Sequence, residues 1–222
     1  MSETARHEKL IAELAGDLRP VHRLLPPSVR AAGWLAVVAA LGTILAPMAD
    51  LGDILHRLAA APDMWLSVLG SVLTALLAAL AAYQTSVPDR SPYWALLPLP
   101  AALLWIAASG AGCLRSWIVP GTHDASMGEA RICLLFIIGI SLPLSFLLLK
   151  MLQKACPLRP GLTAVLGGLA AASASATLLN FFHPYDAAAT DLLVHILAVG
   201  SVVIASRLIG GRALAWRARP NA

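Results

Sequence analysis

Polar residues dominate the first thirty positions, and beyond Arg30 the chain becomes a series of long apolar blocks separated by short charged stretches. Windows free of charge mark five such blocks, at about 31–49, 64–83, 94–114, 132–149 and 161–181, and a sixth, at about 192–210, carries Arg207 near its end. Each approaches the roughly 20 residues a helix needs to cross a hydrocarbon core of about 30 Å. Main-chain polar groups in lipid must be satisfied within their own segment, so every block is expected to be a transmembrane helix. The polar start has a pattern of its own. Leu10, Ile11, Leu14 and Leu18 recur at near-helical spacing, while Arg6, Glu8, Lys9 and Glu13 occupy the other side. This predicts a short amphipathic helix from Glu3 to about Asp17, with Ser2 as its cap and Glu3 in its first turn. Pro20 ends it, and Pro26 and Pro27 stiffen the approach to the membrane. The expected architecture is all-α: an arm at 1–30, a six-helix membrane bundle at 31–211, and a basic tail at 212–222.

Composition agrees with the pattern. Only 13% of the residues are charged and mean hydropathy is +0.76, whereas a soluble domain carries roughly a quarter charged residues. A net charge of +4 would suit nucleic acid, but the basic residues stand at the ends of apolar blocks, where they orient helices. Direct contact with nucleic acid is therefore not expected. No short apolar core with a small-residue cleavage site precedes the first block, so the arm is expected to stay in the cytoplasm as part of the mature protein. Six crossings put both termini on one side. With that side cytoplasmic, only Arg57, Arg115 and Arg131 of the 16 Lys and Arg residues lie outside, a strong bias for both ends being inside.

Candidate chemistry gathers at the outer face. Cys113 ends the third block and Cys133 begins the fourth, bracketing a loop that also holds His123 and Asp124. Three readings stay open for the cysteines: small packing residues, a redox-responsive pair, or metal ligands. The outside is oxidising, and a disulfide closing such a loop would contribute roughly 3 kcal/mol. Cys156, beside Pro157 on the reducing side, is expected to be a free thiol. His183 and His195 flank the start of the last block, with Asp186 and Asp191 between them. His195 lies one turn inside an apolar helix, where an ionisable group is a functional candidate, although a bond to a neighbouring carbonyl accounts for it equally well. Cys113, Cys133, His123, His183 and Asp186 form a candidate transition-metal set at the outer face, without the tight spacing of a dedicated site. No paired helix histidines announce a haem, and no Ser/His/Asp set or intramembrane carboxylate pair points to catalysis, so no enzyme is expected. The arm has two destinations, the bilayer surface or a groove on a soluble partner; its mixed-sign polar side fits a partner slightly better.

Several segments, in order, resemble one family. Residues 17–30 read DLRPVHRLLPPSVR and run directly into AAGW ending at Trp34. SVPDR at 86–90 precedes WALLP at 94–98, GAGCLR at 110–115 closes the third block, and Cys133 opens the fourth. Pro143 and LRP at 158–160 lead to GGL at 167–169, and His183 and His195 bracket the last outer loop. This arrangement, spanning nearly the whole chain, resembles the NrsF-type membrane anti-sigma factors, a bacterial six-helix family. The resemblance implies a multi-pass inner-membrane regulator whose cytoplasmic arm sequesters an extracytoplasmic-function sigma factor. A periplasmic metal or oxidative stress signal would release it. Leu10, Ile11, Leu14, Arg19, Pro20 and Arg23 are the expected sigma-contacting surface, and Cys113, Cys133, His183 and His195 the expected sensing residues. One departure stands out. Many members carry a cysteine right after the histidine matching His183, and Pro184 follows here, which removes a disulfide from the fourth span to the last outer loop. Homo-oligomer formation stays open. The competing reading is a small transporter or metal-handling membrane protein using the outer-face Cys and His residues.

Overall fold

The computed structural model describes residues 3–16, 23–49, 52, 62–118, 127–180 and 189–217. Among them there is no strand, and six helical stretches are long and apolar enough to cross a membrane, as the blocks predict. The polar helix α1 runs Glu3–Gly16 and buries none of its residues. The expected cap, Ser2, lies outside the described residues. After the extended stretch 23–26, Pro27 starts α2, Pro27–Leu45, where a missing N–H costs nothing in the first turn. Then come α3, Pro62–Thr85, and, after a short 3₁₀ turn at Pro92–Leu96, α4, Leu99–Ile118. Helix α5 is the longest, Met127–Gln153, and holds Pro143 in its interior. Helices α6, Pro160–Leu179, and α7, Ala189–Ala205, complete the crossings. The last one continues through a π-helical turn, Ser206–Gly210, into α8, Gly211–Arg217, so it does not stop at the expected 210.

Helix α6 is the axle of the bundle. It packs on α3, α5, α7, the π turn and α8. Its sequence explains the position: Gly167 and Gly168 are followed by a run of Ala and Ser, and small residues let neighbouring backbones approach. Gly167 faces Leu148 of α5, and Gly168 lies so close to Ser206 and Val203 that a Cβ would collide with both the hydroxyl and its carbon. Helix α3 has one comparable approach, where Gly70 meets the main chain of Trp105 on α4. Hydroxyls stitch these contacts: Thr177 donates to Ser71 across α6 and α3 at 3.0 Å, and Ser141 to Ser175 across α5 and α6 at 3.0 Å. Such pairs supply polar partners that lipid does not.

Two apolar clusters result. The larger one lies on the side where the arm enters and joins Trp34, Tyr83, Leu144, Leu148, Leu152 and Leu214. A smaller one lies on the far side and joins Cys133 and Ile137 of α5 to Leu179 of α6 and Ala198 of α7. Helix α5 belongs to both, and Pro143 falls between its buried members of the one, Cys133 and Ile137, and of the other, Leu144, Leu148 and Leu152.

Candidate functional site

The arm offers a surface that nothing in the described chain covers. Leu10, Ile11 and Leu14 are 53%, 65% and 63% exposed on one face of α1. Lys9 and Glu13, one turn apart, approach to 4.0 Å, an exposed pair that contributes little to stability. Arg23 is exposed in the extended stretch leading to α2. Arg19 and Pro20, also expected on the contact surface, lie outside the described residues.

On the far side, the described candidate residues sit on three different helices. Of the three cysteines, Cys113 is half-buried, Cys133 buried and Cys156 exposed. Helix α4, carrying Cys113, packs mainly on α3 and α7, whereas α5, carrying Cys133, packs mainly on α2, α6, α7 and α8. Among the described residues, helix α7 is thus the main shared neighbour of α4 and α5. Cys133 is enclosed by Ile137, Leu179, Ala198, Leu134, Phe136 and Val194. His195 takes a different direction from α7. It lines a cleft of about 240 Å³ with Ala102, Trp105, Ile106 and Ser109 of α4, Leu169 of α6, and Ile196, Val199 and Gly200. Ser109, at its wall, shares a hydrogen bond with Ser67 of α3 at 2.9 Å. Cys113 falls one turn beyond Ser109 on the same side of α4. Among the described residues no three His, Cys, Asp or Glu side chains converge as a metal site would require. His123, His183 and Asp186 lie outside the described residues.

A polar constellation that the sequence did not announce sits at the root of the arm. Arg30, in the first turn of α2, is only 7% exposed. Its guanidinium donates to the Met151 carbonyl near the end of α5 and lies 5.0 Å from the centroid of the Tyr83 ring on α3. The Tyr83 hydroxyl in turn donates to Met151 Sδ at 3.3 Å. One turn further along α2, fully buried Trp34 donates its indole N–H to the Leu144 carbonyl at 3.2 Å. The only signal available beforehand was the four-residue spacing of Arg30 and Trp34, which puts both on one face.

Comparison with known proteins comes to one finding. A family model described as NrsF, negative regulator of sigma F, matches residues 14–216. No match is found among curated proteins or among solved structures.

Proposed function

The chain belongs to the NrsF family, negative regulators of sigma F, and from that premise we propose that it is an anti-sigma factor of the bacterial inner membrane. Residues 1–30 hold an extracytoplasmic-function sigma factor at the cytoplasmic face, away from RNA polymerase. A metal or oxidative stress signal at the periplasmic face releases it. The observation that carries this reading is the uncovered apolar face of α1, Leu10, Ile11 and Leu14, on a helix that buries none of its own residues. An apolar helix face laid into a groove on a partner is an established mode of recognition. Arg19, Pro20 and Arg23 are assigned to the same contact, as the family resemblance implies.

Release is a population shift: a far-side event changes helix packing and, with it, the affinity of the arm. Moving the sigma equilibrium from 1:99 to 99:1 takes roughly 5.5 kcal/mol of differential stability. Cys113, half-buried on a helix of the far-side cleft, Cys133, His195 and His183 are the residues through which the signal acts. The described members of this set do not form one ligand cage, since Cys133 is packed among apolar side chains and His195 lines the cleft. The transporter alternative has less support, because the buried hydroxyls of Ser71, Thr177, Ser141 and Ser175 pair across helices as packing contacts.

The test is capture of the sigma factor by the full chain in lipid nanodiscs. The triple variant Leu10→Ala, Ile11→Ala, Leu14→Ala is expected to weaken capture by about a hundredfold or more, given what three buried aliphatic side chains contribute. Unchanged capture would remove α1 from the contact.

A further inference from the structure

Arg30 is the one charged side chain among the described residues that is buried. An arginine in the first turn of a membrane span ordinarily stretches back to the headgroups and keeps its charge in water. This one turns inward instead, toward a carbonyl on α5 and a ring face on α3. Withdrawing a guanidinium from water is costly, and its described partners, a neutral carbonyl and a ring, compensate less fully than a carboxylate would. Replacing such a group with an apolar one is often neutral for stability, so stability alone does not account for it.

What the arrangement does is fix a geometry. Arg30 and Trp34 reach two carbonyls, of Met151 and Leu144, that lie two turns apart on one side of α5. Both acceptors are main-chain atoms, so the contacts read the position of the helix itself rather than any side chain on it. Farther along the same helix, beyond Pro143, Cys133 and Ile137 belong to the far-side cluster. A proline within a span removes one hydrogen bond of the helical ladder and is where a helix bends. The far-side cluster and the root of the arm are therefore connected by a single helix that carries a proline in its interior.

We infer that Arg30 is the positioning residue that ties the arm to α5, so that a displacement of the far-side half of α5 reaches the sigma-holding segment through this contact. The inference rests on the proposed role of residues 1–30, and it adds the route by which they are controlled. Tyr83 steadies the junction by holding both the guanidinium and the sulfur of Met151.

The test is hydrogen exchange on the full chain in nanodiscs, as a double-mutant cycle. Ile137→Ala loosens the far-side cluster, and Arg30→Met cuts the junction. Ile137→Ala alone is expected to speed exchange across 23–36, and Arg30→Met alone to speed it about tenfold or more, as for loss of one charged hydrogen bond. In the Arg30→Met background, Ile137→Ala should add nothing at 23–36, while Arg30→Lys restores part of the response. Equal increments in both backgrounds, or no change at 23–36 from Ile137→Ala, would overturn the coupling. Exchange in α6 serves as the control for the fold; if Arg30→Met fails it, Arg30→Leu replaces it in the same cycle. Sigma capture is read in parallel. A wild-type chain that captures no sigma factor sinks the proposed function, while the exchange cycle still decides the coupling.

Discussion

Helices α2 and α6 are nearly equal in length, at 19 and 20 residues, and both are apolar enough to span a membrane. Yet 78% of the apolar stretch of α6 is buried in the bundle, against 11% for α2. Apolarity thus decides which segments enter a bilayer, but not which of them enters the centre. Lipid tails are as apolar as leucine, so helices associate through close packing and hydrogen bonds, and small residues supply both. Helix α6 has Gly167, Gly168 and a run of Ala and Ser; α2 buries only Arg30, Ala31 and Trp34, all near its entry. The first is a fixed axle. The second buries side chains fully at one end only, and that end carries the arm.

The contrast can be broken most forcefully at Gly168. Gly168→Val should cost about 3 kcal/mol or more, because even the first added carbon collides with Ser206 beside the α7 main chain. The expected result is loss of monodisperse protein in detergent, and normal yield and melting would contradict the view of α6 as the axle. Next in size, Trp34→Ala should cost about 2–3 kcal/mol in thermal unfolding, through lost packing and the hydrogen bond to the Leu144 carbonyl. The neighbouring change Val37→Ala, at a position 43% exposed, should stay within about 0.5 kcal/mol. If the two cost the same, α2 is not held by its buried end. Smallest is Gly33→Ala, which meets no atom within 4 Å and should stabilise by about 0.5 kcal/mol through helix propensity. A loss there instead would reveal a neighbour on the exposed side of α2.

The crossings were legible in the sequence because charge is excluded from lipid. The block expected at 132–149 corresponds to a span from Arg131 to Gln153, and the others agree similarly. Ends were less legible: Lys150 is a fair mark of the interface, but a helix runs on past it as long as nothing breaks its hydrogen bonds. At the start of the chain the structure has a helix, Glu3–Gly16, where the spacing of Leu10, Ile11 and Leu14 predicts one. The order of packing was not legible. Cys113 and Cys133 flank one loop, yet α7, more than 70 residues downstream of Cys113, is the helix that packs on both of theirs. Sequence neighbours across a loop are a weak guide where lipid drives no helix toward any other. Arg30 was missed for a sharper reason. A headgroup-seeking arginine and one turned into the bundle leave the same trace, a basic residue before an apolar run, and only the partners on α3 and α5 tell them apart.

The π turn at the end of the last crossing has a consequence for how its sequence is spaced. Ala198, Val202, Ser206, Gly210 and Leu214 are all buried, a strict repeat of four. In a regular α-helix such a repeat drifts by about 40° at each step, and after four steps its last member would look almost the opposite way. The wider turn between Ser206 and Gly210 winds more slowly and takes back part of that drift. One loosened coil thereby keeps a row of five small or apolar positions closer in phase with the bundle over most of the crossing.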